Sequence, residues 1–194
     1  MPLEKNPIER LPPQNLEAEE YLLGCLLIDK DALIKVGDLL MGNDFYKESH
    51  QRIYDTMKEL FNRREPIDIL SITNRLEEKG ILESIGGRTF LAKLSTTAAT
   101  TANMVHYAQI IKRKATLRRL IKAAGEIGEI GFNEEEDVEK ILDEAEQKLF
   151  GVTQKYLKNL FQPIDSLLAE AFDRIDELHK QSGKMRGIPT GFGR

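Results

Sequence analysis

The side chains able to do chemistry in this chain are scattered. His50, His106 and His179 each stand alone, without the spacing that puts two metal ligands on one face. No G-x-x-x-x-G-K-[ST] stretch is present to cradle a phosphate. Gly191-Phe192-Gly193 follows no strand-like segment and precedes no lysine, so it does not replace one. The 32 acidic residues fall on faces that read as exposed, which makes them solvated charge rather than a general acid/base pair. The lone thiol, Cys25, lies within Tyr21-Leu22-Leu23-Gly24-Cys25-Leu26-Leu27-Ile28. It has no second cysteine to pair with, and its setting makes it a small buried hydrophobe. No catalytic, cofactor-binding or metal-ligating residue is assigned.

Charge is instead sorted into blocks. From Lys112 to Lys122 six basic residues (Lys112, Arg113, Lys114, Arg118, Arg119 and Lys122) meet no acidic one. From Glu126 to Glu146 ten acidic residues are opposed by Lys140 alone. Two readings stand. The blocks are solvated helix faces, with Arg118 and Lys122 brought opposite Asp143, Glu144 and Glu146 in ion pairs worth little each. Alternatively, Lys112 to Lys122 is a basic patch for nucleic acid. The absence of Trp, the scarcity of nearby aromatics and the acidic counterweight speak against the second.

The elements that carry these blocks run from Asn103 to Asn159. Met104, Ala108, Ile111, Ala115, Leu120, Ala124 and Ile127 form one apolar stripe at helical spacing; Val138, Ile141, Ala145, Leu149, Val152 and Tyr156 form another. Periodicity lapses over Gly131-Phe132-Asn133-Glu134-Glu135-Glu136-Asp137, where the chain can turn. The pattern predicts an antiparallel αα-hairpin. A lone hairpin cannot bury both stripes, and a second copy is the cheapest cover. The expected dimer interface is Met104, Ala108, Ile111, Ala115, Val138, Ile141, Ala145, Leu149 and Val152. Gly125, Gly128 and Gly131 recur every third residue, which suits either a fraying tip or the close approach of a partner backbone.

The fold expected around this hairpin is all-α: a compact helical head, the long hairpin, then a separate linker helix. Residues 1–14, with Pro2, Pro7, Pro12 and Pro13, form an extended arm. The head spans 15–101. Asn15 caps a helix from Leu16, and Asp31 caps one over Ala32 to Leu40. Ser49 to Arg64 places His50, Ile53, Met57, Leu60 and Phe61 on one face. Asp68 caps a helix to Glu78 that Gly80 stops. A single turn follows over Ile81 to Ile85, a break at Gly86-Gly87, and a helix over Arg88 to Leu94. Ser95 to Thr101 is polar and without periodicity, and reads as the joint to the hairpin over 102–159. Within 160–183, Pro163 opens a helix whose seam is Ile164, Leu167, Leu168, Ala171, Phe172, Ile175 and Leu178, available to dock on another domain. Residues 184–194 end in mid-loop, at Gly187-Ile188-Pro189-Thr190-Gly191-Phe192-Gly193-Arg194, which reads as a truncation.

With 41% hydrophobic residues and a net charge of −4, the chain suits a packed domain better than a protein that coats nucleic acid. No apolar run spans a bilayer and the start is not laid out as a signal peptide, so a cytoplasmic location is expected.

Several segments, in order, resemble the N-terminal domain of bacterial DnaB-type replicative helicases. They are Leu11-Pro12-Pro13-Gln14-Asn15-Leu16-Glu17-Ala18-Glu19, Asp44-Phe45-Tyr46 with His50, Pro66-Ile67-Asp68, Ile85-Gly86-Gly87, Ala102-Asn103 with Tyr107, Leu117-Arg118-Arg119-Leu120-Ile121, and Leu142-Asp143-Glu144-Ala145-Glu146. Gly187-Ile188-Pro189-Thr190-Gly191-Phe192 resembles that family's entry to its RecA-like motor domain. The family usually carries a proline within Ser95 to Thr101, which this chain lacks. The resemblance implies a non-catalytic collar domain of a hexameric, ATP-driven DNA helicase, assembling as a trimer of dimers. It implies primase and a helicase loader as partners, ATP and Mg in the motor domain, and DNA contact mainly through that domain. It also implies that the linker helix docks on a neighbour's motor domain. Phe90, Ile121 and Ile127 fall where a primase contact is expected, with burial in the core as the other reading. A free-standing helical adaptor or loader-type protein is the alternative.

Overall fold

Asn15 starts the first helix as its side chain accepts the Ala18 N–H at 3.0 Å, and α1 runs over Leu16–Ile28. The computed structural model describes residues 11–157, apart from 30, 99, 134 and 135, together with residue 172. The chain divides into two compact units, Met1–Asn159 and Leu160–Arg194. Of the second, only Phe172 is described; it is helical and exposed. Ile164, Leu167, Leu168, Ala171, Ile175 and Leu178 of the expected linker helix lie outside the described residues.

The first unit is all-α, with no strand among its described residues. After α1 come α2 (Ala32–Val36), α3 (Glu48–Asn62), α4 (Ile69–Glu78), α5 (Gly87–Thr97), α6 (Met104–Ile130) and α7 (Val138–Leu157), with 3-10 turns at Gly42–Asp44 and Glu83–Ile85. α1 is apolar nearly all round because it is enclosed: Leu22, Leu23, Cys25 and Leu26 are buried against α5, α6 and α3. Gly24 lets α5 approach, since a Cβ there would lie 2.4 Å from the Leu94 carbonyl oxygen. Burial pushes the Cys25 thiol up to about 11, with Asp29 adding to it, so the group stays protonated and inert near neutrality.

The two largest boundary differences from the sequence reading are in α2 and α5. α2 stops at Val36 rather than Leu40, and Asp31 does not cap it through its side chain. α5 continues through Ser95, Thr96 and Thr97, because their hydroxyls donate to the carbonyls of Ala92 and Lys93 at 2.8–2.9 Å instead of competing with the helix from outside. The head also does not stop where α6 begins. Met104, Ala108 and Ile111 belong to the same buried cluster as α1, α3 and α5.

α3 and α4 end in the same way. Past α4, Gly80 N–H donates to Glu77 and Ile81 N–H to Leu76, with Gly80 at φ 67°. Past α3, Arg64 N–H donates to Phe61 and Glu65 N–H to Leu60, with Arg64 at φ 60°. The second ending places a residue with a Cβ in the left-handed region, where glycine would fit without strain. Arg64→Gly is therefore expected to raise the unfolding free energy by about 1 kcal/mol, read in urea or heat.

Between α3 and α4, Glu59 accepts from Arg75 and from Lys79. The Arg75 hydrogen bonds, then those of Lys79, hold the Glu59 carboxyl down at about 2 against an ordinary 4.5. The folded state thus takes up this proton at lower pH than the unfolded chain. The stabilisation is complete above the ordinary value and is lost as pH falls from there towards about 2. Glu59→Gln should flatten that limb of a stability-versus-pH curve.

Candidate functional site

α6 is a 27-residue helix with two environments. Its first half is fixed in the head by Met104, Ala108, Ile111 and Ala115, each at most 3% exposed. That rotation turns Lys112, Arg118 and Arg119 inward too. Lys112 donates to Asp44 Oδ2 at 3.2 Å and Arg119 pairs with Oδ1, while the Met41 N–H also donates to Oδ2 at 2.8 Å. Asp44 is wholly buried. Arg118 donates to the Pro13 carbonyl at 2.8 Å and the Asp44 carbonyl at 2.5 Å, and its guanidinium lies over the Tyr46 ring. Burial lowers the Arg118 pKa, opposed by Glu19 and Asp44. Half of the basic block is thus the joint that clamps the hairpin to the head.

This corrects the expected pairing of Arg118 and Lys122 with Asp143, Glu144 and Glu146. The observed bridge has the opposite polarity: Glu126 of α6 accepts from Lys148 of α7 at 3.1 Å, with Lys122 and Glu144 at 3.7 and 3.6 Å on either side. It also removes Lys112, Arg118 and Arg119 from any basic surface. A second joint was not foreseen. Glu19, buried in α1, accepts the Tyr46 N–H at 2.7 Å and faces His50 Nδ1 at 2.7 Å, so it holds the entry to α3. The sequence signal was available in both cases: a charge standing in an otherwise apolar stripe asks for a buried partner.

Met104, Ala108, Ile111 and Ala115, expected at a dimer interface, are therefore covered by the head of their own chain. The distal half of the hairpin differs. On α7, Ile141, Ala145 and Val152 are half-buried on the face that carries Lys148 towards α6. Val138, Leu142, Leu149 and Phe150 are 50–66% exposed. On α6, Leu117, Leu120 and Ile121 are 38–59% exposed and Ile127 is half-buried. Gly125 and Gly128 open onto free space. α6 stays helical through both glycines to Ile130. These large apolar side chains on two adjoining helices are left uncovered by the described residues of their own chain.

Phe90 lies elsewhere, on the head. It is half-buried, stacked on His50 with ring centroids 5.8 Å apart, and Lys47 and Lys93 stand 5.0 and 5.9 Å from its ring. It does not share a face with Ile121. Among the described residues no group of acidic, histidine and cysteine side chains is arranged to hold a metal ion, and no helix is long and apolar enough to cross a membrane.

Residues 11–113 match the family model of the DnaB-like helicase N-terminal domain. The chain is 40% identical over 184 residues to the replicative DNA helicase DnaC of Bacillus subtilis, and 39% identical over 184 residues to the replicative DNA helicase DnaB of Geobacillus stearothermophilus. Each match covers 95% of this chain and 40% of the relative, so the chain spans about two fifths of those proteins. Among solved structures, the N-terminal domain of the DnaB helicase from Mycobacterium tuberculosis superposes with a TM-score of 0.69 at 37% identity, covering 73% of this chain and 99% of that one. A DnaB-like replicative helicase, solved to show its interactions with primase, superposes with a TM-score of 0.65 at 26% identity, covering 92% of this chain and 38% of that one.

Proposed function

The chain belongs to the DnaB-like helicase N-terminal domain family, and from that premise we propose that it is the assembly and docking domain of a hexameric, ATP-driven helicase that unwinds DNA at the replication fork. The observation that carries this reading is the exposed apolar surface of the distal hairpin, on the part of the chain that its own head leaves uncovered. Two copies cover each other's surfaces there, and three such pairs make the collar. Val138, Leu142, Leu149 and Phe150 are the contacts on α7. ATP and Mg act in the rest of the protein, which also makes the main contact with DNA. The segment over 160–183 docks on a neighbouring motor domain, and the protein works in the cytoplasm. Primase and a helicase loader are the partners.

For primase, Ile121 and Ile127 present side chains on the hairpin, and Phe90 presents an aromatic between two lysines on the head. The test is binding of a primase C-terminal domain to the chain. Ile121→Asp with Ile127→Asp should weaken it by about thirtyfold or more, at an unchanged melting temperature. Wild-type affinity with a lowered melting temperature would make both residues core.

A further inference from the structure

A buried ionic pair lies behind the half-buried aromatic of the head. Glu19 on α1 and His50 on α3 are each at most 1% exposed. A carboxylate oxygen accepts, so His50 Nδ1 carries the proton of their 2.7 Å contact. Nε2 is buried with no hydrogen-bond partner among the described residues. An orphaned buried nitrogen costs folding free energy, and asparagine here would supply the same donor without it. What the imidazole adds is a flat face. It lies parallel to the Phe90 ring within 4°, with centroids 5.8 Å apart.

The same carboxylate orders a second neighbour of that ring. Glu19 Oε1 accepts the Tyr46 N–H at 2.7 Å and Oε2 accepts the Lys47 N–H at 3.4 Å. Lys47 is the residue before α3, and its Nζ stands 5.0 Å from the Phe90 ring centroid. Lys93, at 5.9 Å, is ion-paired with Glu20, whereas Lys47 forms no ion pair among the described residues. Gly86 leaves the room that Phe90 needs, since an added Cβ would lie 2.9 Å from the Phe90 Cβ. An aromatic ring beside an ammonium without a counter-charge suits a partner that lays an apolar group on the ring and brings a carboxylate to the cation.

We propose that Glu19 and His50 are positioning residues for primase binding: they hold Phe90 and Lys47 as one unit, which takes an acidic group next to an apolar one on the primase. Neither Glu19 nor His50 touches the primase. The inference rests on the primase reading given above and names the chemistry of the contact on the head. Without the imidazole face the Phe90 ring is free to turn, so affinity is lost through Phe90 and not independently of it.

A double-mutant cycle on the chain, read as affinity for a primase C-terminal domain, tests this. Phe90→Ala should weaken binding about tenfold and His50→Asn about fivefold, while adding His50→Asn to Phe90→Ala should change it less than about twofold. A loss that came only from a loosened fold would weaken binding equally in both backgrounds. Lys47→Gln keeps the contact to Glu19, which uses the backbone N–H. It should weaken binding about threefold at low salt, at an unchanged melting temperature, and have no effect at high salt. Equal losses from His50→Asn in the two backgrounds, an affinity that ignores His50→Asn, or one that ignores Lys47→Gln at low salt would overturn the inference. If Phe90→Ala and Lys47→Gln have no effect while Ile121→Asp with Ile127→Asp still weakens binding, primase docks on the hairpin alone; this inference falls and the primase reading stands. If none of these variants changes the affinity, both fall.

Discussion

Asp44→Ala should lower the unfolding free energy by about 3 kcal/mol or more, and with it the melting temperature by roughly 6–12 °C. Asp44 has no exposure at all, and its two oxygens hold Lys112 and Arg119. Removing the carboxylate leaves two cations at the foot of α6 with their charge unmatched, Lys112 itself being buried. It also frees the Met41 N–H. The size of the effect comes from the charges left behind rather than from the net worth of the bridge. Adding Lys112→Met and Arg119→Met to Asp44→Ala should therefore recover most of the loss, since a buried ionic cluster and an apolar one of similar volume are close in stability. Thermal melts of the single and triple variants check both parts. A neutral Asp44→Ala would mean that the joint between head and hairpin is made by Met104, Ala108 and Ile111 alone.

Leu142→Asp with Leu149→Asp should raise the dissociation constant for self-association by about a hundredfold or more, while leaving the melting temperature of the dilute chain unchanged. Both side chains are at least half exposed in a single chain, so a carboxylate there costs nothing until a second copy covers it. Met104→Asp is the contrasting variant. Met104 is 3% exposed within the head, and a charge there should unfold the chain rather than separate copies. Sedimentation and thermal melts on the same samples sort the two behaviours.

The contrast marks how far the sequence could be read. Periodicity placed both hairpin helices and the turn between them, because a stripe at helical spacing is the same whichever surface covers it. For that reason it could not tell Met104, Ala108, Ile111 and Ala115, which their own head covers, from Leu142 and Leu149, which it does not. Caps were legible where one side chain decides them, as with Asn15 and Asp68, which accept the Ala18 and Ser71 N–H groups. Asp31 has the right chemistry, but its backbone is already helical and its side chain makes no cap hydrogen bond. The basic block was visible as charge, yet its partner Asp44 lies 68 residues from Lys112, and nothing local connects them. Ser95 to Thr97 are polar and without periodicity and so read as part of the joint, whereas their hydroxyls bond to the carbonyls of Ala92 and Lys93 within the helix, which no apolar pattern records. Phe90, Ile121 and Ile127 were grouped by the resemblance to a family; Phe90 lies on the head and the other two on the hairpin.

Sedimentation velocity of the 194-residue chain over a wide concentration range bears most directly on the proposed role. The exposed faces of α6 and α7 predict reversible growth from one copy to two or more as concentration rises, with Leu142→Asp and Leu149→Asp holding the chain at one. A single monomeric boundary at every concentration would contradict it.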